Sequence, residues 1–146
     1  MKIELTRKNK AVHFEASNGT DAVVSVDGSA SVGGQGLGLR PMELVLASLA
    51  SCSSIDVVTL LKKMRQPLED IRVEVEGTRA EEEVPAVFRH IHLRFFLQGA
   101  LDPEKARKAV GMSVGTYCSV ARMLEKSATI TWDVDIRPGL RADPGA

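Results

Sequence analysis

The first quarter of the chain carries the alternating pattern of short, half-buried strands. Apolar residues there stand between polar neighbours with a period of two, at Ile3, Leu5, Val12 and Phe14. Asn18 and Gly19 tolerate the positive φ angles of a tight hairpin turn, and a third strand is expected from residue 22 to residue 26. The pattern therefore predicts an antiparallel N-terminal sheet.

A long and almost uncharged helix is predicted at residues 41–64, after a glycine-rich and irregular loop at residues 28–40. Pro41 suits the first helical turn, since its missing N–H would be unpaired there. The only charged residues before the closing lysines are Glu43 and Asp56. A helix that is apolar on nearly all sides is buried in a core or against a partner. The two carboxylates and five hydroxyl residues argue against a membrane span.

The second half of the chain carries two strand patterns, two helix patterns and a last strand pattern. Strands are expected at residues 70–79 and 87–98, and a short helix at residues 102–110. A second helix is expected from Ser113, as its N-cap, to about residue 126, and a strand at residues 128–136. Strands and helices are grouped rather than strictly alternating, which predicts an α+β fold.

Length and composition fit one ordinary globular domain, expected at residues 1–137, with a flexible C-terminal tail at residues 138–146. Lysine plus arginine equals aspartate plus glutamate at 19 each, so the sequence has no basic surplus for a nucleic-acid partner. The start of the chain has no unbroken apolar run. Neither a secretory signal nor a membrane anchor is therefore expected, and the expected location is cytoplasmic.

Cys52 lies near the middle of the predicted central helix. A lone cysteine in such a place is most often a small buried apolar residue, which is the simpler interpretation. Catalysis would need the thiolate, yet Asp56 lies four residues on over the same helix face, where a negative charge disfavours it. A cation from elsewhere in the fold would have to outweigh Asp56.

Cys118 lies beside the apolar stripe of the late helix. Arg122 could face its sulfur from four residues on, although an exposed pair with Glu125 is the commoner arrangement. Two cysteines can also act together, when one is oxidised to sulfenic acid and the other condenses with it as a disulfide. Such a pair needs Cα atoms within about 7 Å, which spacing along the chain cannot show.

The histidines do not predict a metal site. His90 and His92 would share one strand face and such a pair can ligate zinc, but spacing places no third ligand beside them. Solvent-facing histidines are the better interpretation, so neither a metal nor another cofactor is expected. Serine catalysis lacks support as well, because no G-x-S-x-G motif occurs.

Two separated motifs resemble the OsmC/Ohr family of small dimeric thiol proteins. They are Gly33-Gly34-Gln35-Gly36, continued by Pro41-Met42-Glu43-Leu44 and Ala50-Ser51-Cys52, and then Tyr117-Cys118-Ser119-Val120-Ala121. Members of the family carry a glycine-rich loop, then a proline and a glutamate that open a central helix with the first cysteine, and a second cysteine at a late helix. The order of predicted elements matches too, so the resemblance covers nearly the whole chain.

The resemblance implies an OsmC-like α+β fold, with antiparallel sheets around a long buried central helix, in an intertwined homodimer. It also implies thiol-dependent reduction of organic hydroperoxides in oxidative-stress defence. By analogy Cys52 would attack the peroxide and Cys118 would resolve it as a disulfide. A dithiol such as a lipoylated protein would then regenerate the pair.

The first motif departs from that of the peroxidase members. In those members the glutamate directly follows the proline, whereas here Met42 holds that place and Glu43 lies about 100° further round the helix. Those members also steady the thiolate with an arginine of the N-terminal hairpin. The candidates here are Arg7, by position, and Arg40, which directly precedes the helix. Glu43 precedes Cys52 by nine residues, roughly 14 Å of straight helix, so a site joining them is expected at a dimer interface.

Two functions of different class stay open on this sequence. The first is a thiol peroxidase that acts on organic hydroperoxides. The second is a non-catalytic OsmC-like protein that binds a small apolar or thiol ligand in the interface pocket, or senses redox state through its cysteines. A guanidinium in contact with Cys52 favours catalysis, and Asp56 alone beside it favours an inert thiol.

Overall fold

A computed structural model of the chain describes residues 1–80 and 82–139. Glu81, from the acidic loop between two predicted strands, and residues 140–146 of the expected tail lie outside the described residues. The chain divides into two compact units, Met1–Val45 and Leu46–Ala146. The boundary between them falls within the central helix.

The first unit contains the antiparallel sheet that the alternating pattern predicts. Its strands β1 (Glu4–Arg7), β2 (Phe14–Ser17) and β3 (Val23–Val26) pair in sequence order. Gly19 takes a φ of 82° in the predicted turn between β2 and β3. Burial is lower than the pattern indicates, because several apolar side chains of this region are exposed, namely Ile3, Leu5, Val23 and Val24.

A buried carboxylate holds the glycine-rich loop that follows β3. Asp27 is 2% exposed and accepts hydrogen bonds from the backbone N–H groups of Gly28, Gln35 and Leu37, at 2.8, 2.9 and 3.0 Å. The N–H groups of Leu37 and Gln35 stabilise the charged form and lower the pKa of Asp27. The loop is irregular, as predicted, but its path is fixed by one side chain.

The central helix α1 runs from Pro41 to Lys63, within one residue of the predicted end. Its buried residues recur every four positions and form one stripe, at Leu49, Ser53, Val57 and Leu61. Ile55 and Val58, on other sides, are 67% and 42% exposed. The helix expected to be buried all round is thus covered along one stripe by its own chain.

Length and composition alone would let α1 cross a membrane, and 28% of its most apolar window is buried. The core helix of a water-soluble protein can satisfy the same criterion of length and composition.

The second unit contains a sheet in the order β4 (Leu68–Arg79), β5 (Phe88–Gly99) and β6 (Thr129–Arg137). Strands β4 and β5 form the expected antiparallel hairpin. Strand β6 pairs parallel with β5, so the expectation of antiparallel sheets is wrong for this pair. The reason is the helical connection between β5 and β6, which carries the chain back so that both strands run the same way.

Burial along β5 follows the predicted period of two. Its inward-pointing side chains have no exposed surface, at Ile91, Leu93, Phe95 and Leu97, and they alternate with polar or part-exposed residues. Burying a large apolar side chain contributes roughly 1.5–3 kcal/mol. This one strand therefore supplies a large share of the core on one face of the sheet.

The connection from β5 to β6 contains helix α2 (Pro103–Met112), a π-helical turn (Ser113–Tyr117) and helix α3 (Ser119–Leu124). Ser113 was expected to cap a new helix, and this prediction is wrong. Its backbone is helical, and its hydroxyl donates to the carbonyl of Ser53 at 2.9 Å instead of capping an N–H group. The break in the helical run comes at Cys118.

Candidate functional site

Cys52 and Cys118, which lie far apart in sequence, come together beside Asp56 in the second unit. The two sulfur atoms and a carboxylate oxygen of Asp56 all lie within 4.8 Å of one another. Both thiols are free; Cys118 is buried, whereas Cys52 is partly exposed. The structure thus supplies the proximity that spacing along the chain could not show.

Two elements bring these side chains together. Cys52 and Asp56 lie four residues apart on α1, so they project from the same face of the helix. Cys118 has an extended backbone (φ −67°, ψ 107°) and is the N-cap of α3, where its sulfur accepts a hydrogen bond from the N–H of Ala121 at 3.4 Å. The sequence pattern predicted a continuous helix through Cys118. The break in the helix at this residue therefore turns its thiol toward α1.

Two buried serines connect the elements around the cysteines. The hydroxyl of Ser53 lies 2.8 Å from the carbonyl oxygen of Leu49 and 3.4 Å from the sulfur of Cys118. The hydroxyl of Ser113 donates to the carbonyl of Ser53. Neither contact was predicted, because neither follows a spacing rule, and Ser113 was expected only as a helix N-cap.

The surroundings of Cys118 favour its neutral thiol. Burial raises the pKa of the Cys118 thiol, while hydrogen bonds from Ser53 and from the N–H of Ala121 act in the opposite direction. The neighbouring Cys52 raises it further. None of these groups carries a positive charge, so Cys118 is held as the protonated partner of the pair.

One carboxylate oxygen of Asp56 is shielded from solvent and has no hydrogen-bond partner among the described residues. Leaving a buried acceptor unsatisfied costs about 1–3 kcal/mol. Asp56 is the carboxylate of the cluster that contains the two sulfurs. Asp56 is therefore an acceptor that the described part of the isolated chain does not satisfy.

The other residues named from the family resemblance have partners of their own in the first unit. Arg7 donates to the carbonyl of Ala11 at 2.8 Å and to that of Lys10. The carboxylate of Glu43 accepts from the N–H of Arg40 at 2.8 Å. This contact joins the third helical residue to the N-cap, as in a capping box. Helix capping is thus sufficient to explain a glutamate at position 43. The part of Glu43 in thiol chemistry stays a prediction.

Arg122 takes the alternative that was expected to be commoner. It forms an ion pair with Glu125 at 3.1 Å and also donates to the carbonyl of Gly115. Both side chains of the ion pair are about half exposed, so the pair adds little stability. The guanidinium of Arg122 is thus engaged by Glu125 and Gly115, and these contacts do not make it a cation for Cys118.

A cavity of about 400 Å³ lies beside the cysteine cluster. Its lining is mostly apolar and consists of Asp56, Thr59, Leu60, Lys63, Met64, Met112 and Tyr117. Asp56 belongs both to the cavity wall and to the cluster, whereas neither cysteine is among the lining residues, so this carboxylate separates the cavity from the thiols. A small apolar molecule could enter here, with the ammonium of Lys63 as one of its few polar neighbours.

His90 and His92 lie on the face of the second sheet opposite its buried residues. His92 makes hydrogen bonds to Thr131 at 2.7 Å and to Asp133 at 3.2 Å, and His90 makes one to Thr131 at 3.2 Å. Neither belongs to a cluster of three convergent ligand atoms in the part of the chain that the structure describes. The interpretation as outward-facing strand histidines is confirmed.

An α+β chain that brings two free cysteines together, one on a central helix and one at a late helix start, defines a small thiol protein with an internal two-cysteine site. The family model for OsmC-like proteins matches residues 34–133. The chain therefore belongs to the OsmC-like protein family, and the resemblance in its two motifs is confirmed.

Similar proteins support both the family and the fold. Protein YhfA of Escherichia coli K12 is 43% identical over 97 residues, which cover 66% of this chain and 72% of YhfA. A hypothetical protein from Aquifex aeolicus VF5 is 31% identical, with a TM-score of 0.77 over 93% of this chain and 96% of that one. The organic hydroperoxide resistance protein OsmC of Legionella pneumophila shares the fold at 17% identity, with a TM-score of 0.65 over 95% of this chain and 96% of that one.

Proposed function

We propose that this protein is a thiol peroxidase that reduces organic hydroperoxides with Cys52 and Cys118. The observation that carries the proposal is the convergence of two free thiols beside Asp56, a residue that also lines a mostly apolar cavity. A protein of the same fold from Legionella pneumophila is described as an organic hydroperoxide resistance protein. Shared fold alone does not carry an activity, so the support comes from the thiols and the cavity.

The different surroundings of the two cysteines assign their roles. Cys52 is partly exposed and lies beside Asp56, which lines the cavity, whereas Cys118 is buried and held neutral. The Cys52 thiolate attacks the peroxide oxygen, the O–O bond breaks, and the alkoxide leaves with a proton as an alcohol. The Cys118 thiol then condenses with the Cys52 sulfenic acid, which forms a disulfide and releases water. An external dithiol, such as a lipoylated protein, reduces the disulfide.

The peroxidatic role calls for a cation beside Cys52, because the charged group in its cluster is the carboxylate of Asp56. We propose Arg7 or Arg40 for this role, with Glu43 as the residue that orients the arginine. The exposed Arg40–Glu43 contact, at 4.0 Å between Nε and Oε1, leaves the guanidinium open to further partners. A second copy of the chain is the proposed source of the contact, for the reasons that follow.

The uncovered sides of α1 favour a homodimer. Ile55 and Val58 are exposed in the single chain although they belong to its most apolar helix. Burying apolar side chains of this size contributes roughly 1.5–3 kcal/mol each. An intertwined homodimer of a soluble OsmC-like protein in the cytoplasm would cover them, and it could also place residues of one chain beside Cys52 of the other.

Thiol loss in the reduced protein on addition of cumene hydroperoxide tests the activity. We expect fast loss of both thiols in the wild type, no fast loss in Cys52→Ser, and loss of one thiol in Cys118→Ser. In Cys118→Ser the product should be a Cys52 sulfenic acid that dimedone traps. Ser54→Ala, next to the cluster on the same helix, is a matched control for general damage. Thiol loss no faster than that of free cysteine would refute the peroxidase assignment.

A non-catalytic role as a binder of small apolar ligands is the second candidate. It is favoured by the cavity lined by Leu60, Met64 and Met112, and by the absence of a positive charge among the groups that shift the pKa of Cys118. Slow thiol loss together with saturable binding of an apolar fluorescent probe, weakened by Met112→Lys, would support this second function.

A further inference from the structure

We propose that in the reduced protein Cys52, Cys118 and Asp56 form a binding site for one thiophilic divalent cation of the Zn²⁺ type. This departs from the sequence-based expectation that no metal binds. The inference is independent of hydroperoxide reduction, because it uses the two reduced thiols and involves no oxidant. The site would bind its cation whether or not the protein is a peroxidase.

The positions of the three ligand atoms suit a zinc ion. All three lie within 4.8 Å of one another. Tetrahedral coordination with Zn–S bonds near 2.3 Å places two sulfurs roughly 3.8 Å apart. The two sulfurs therefore need to approach each other by about an ångström or less, and the carboxylate oxygen needs to approach them by slightly more, which is the scale of small side-chain rotations.

The elements that carry the ligands suit a metal site as well. Cys52 and Asp56 are separated by four residues on one helix, the spacing with which two histidines of a helical H-E-x-x-H motif hold zinc. Cys118 comes from the fixed N-cap of a second helix. Two ligands from one helix and one from another element leave a fourth position open, and the cavity beside Asp56 would give water access to it.

The unsatisfied oxygen of Asp56 is the second, independent observation that points to a cation. It is shielded from solvent, has no hydrogen-bond partner among the described residues, and belongs to the group that faces the sulfurs. Hydrogen-bond donors from neighbouring side chains do not complete it, whereas a bound cation would. Buried charges are found paired or on metals.

Binding of the cation releases protons and leaves a small net charge at the site. The cation displaces the protons of both thiols, which go to solvent, and two thiolates with one carboxylate then hold a doubly charged ion. The side chain of Lys63 shares the adjoining cavity with Asp56 and can offset the remaining negative charge. Formation of a disulfide between Cys52 and Cys118 would remove two of three ligands, so oxidation should release the ion.

Titration of the reduced full-length protein with Co²⁺ under anaerobic conditions tests the site, followed by displacement with Zn²⁺. We expect one ion per chain with thiolate-to-cobalt charge-transfer absorption in the near ultraviolet. Cys52→Ser and Cys118→Ser should each abolish that absorption, and Asp56→Asn should weaken Zn²⁺ binding by about tenfold or more. Circular dichroism of each variant shows whether it is folded.

The matched control removes one potential zinc ligand outside the proposed site. His92→Ala, on the opposite face of the second sheet, should leave stoichiometry and affinity unchanged. Loss of binding in His92→Ala, one ion per two chains, or a folded Asp56→Asn with wild-type affinity would overturn the three-ligand site. Metal binding with slow thiol loss would contradict only the peroxidase, and fast thiol loss without metal binding would contradict only this inference.

Discussion

The buried thiol of Cys118 should make the stability of the protein depend on pH in the alkaline range. Burial raises the pKa of this thiol in the folded protein, whereas in the unfolded chain the thiol titrates near its ordinary value of about 8.5. A raised pKa means that the folded state holds the proton more tightly. The stabilising contribution is therefore complete below about pH 8.5 and is lost as pH rises toward the folded pKa.

The size of the effect is limited by the single proton involved. Between the two pKa values the free energy of unfolding should fall by at most about 1.4 kcal/mol per pH unit. Comparison of the wild type with Cys118→Ala isolates this slope, because every other titrating group is common to both proteins. The difference in free energy of unfolding should be constant from about pH 6 to pH 8 and should shrink above about pH 8.5.

Urea denaturation under reducing, metal-free conditions at a series of pH values measures both free energies. Cys52→Ala is the matched control: it removes the other thiol of the pair but leaves the buried one, so it should keep most of the wild-type slope. A difference between wild type and Cys118→Ala that stays flat to pH 10 would show that burial does not hold this thiol neutral. The roles assigned to the two cysteines would then lose their basis.

Three further changes test the fold around the site. Asp27→Asn removes the charge that binds three backbone N–H groups, so the amides of Gln35 and Leu37 should exchange hydrogen faster. Because the pKa of Asp27 is lowered, the wild type should approach the variant only as pH falls through that lowered pKa, where protonation removes the same charge. Ser113→Ala should lower the free energy of unfolding by about 0.5–1.5 kcal/mol in urea denaturation, since it removes the buried hydrogen bond to Ser53. Ile55→Asp should shift sedimentation toward a monomer, and a dimer of unchanged affinity would refute the α1 interface.

Periodicity accounts for the parts of the fold that could be predicted. The period-two pattern of β5 and the long apolar run of α1 each follow from which side must be buried, so their positions were read within a few residues. The parallel pairing of β6 depends on the path of the helices before it, and no local pattern records that path. The exposure of Ile55 could not be predicted either. A sequence shows which apolar residues should be buried, but not whether the same chain or a second chain buries them.

The candidate site shows the same limit at the level of single residues. Ser113 has the side chain of an N-cap and stands where a helix was expected to begin, yet its hydroxyl is used by the carbonyl of Ser53. Cys118, a poor cap by side-chain type, takes that role five residues later. The tertiary contact between Ser113 and Ser53 thus decides that Cys118, and not Ser113, is the N-cap residue. This N-cap position places the thiol of Cys118 next to that of Cys52.

The position of Glu43 bears on how Cys52 could become a thiolate. At the third helical residue its carboxylate reaches back to the N–H of Arg40, and a carboxylate at Met42 could not make that capping-box contact. Capping uses Oε2 of this carboxylate, so Oε1, which lies 4.0 Å from Nε of Arg40, is the oxygen left to orient a guanidinium. The electrostatic balance at Cys52 then rests on what completes the unsatisfied oxygen of Asp56. A guanidinium there would favour peroxide reduction by Cys52, whereas a bound metal ion would engage both thiols until oxidation releases it, so the two occupants would give the same pair of cysteines different chemistry.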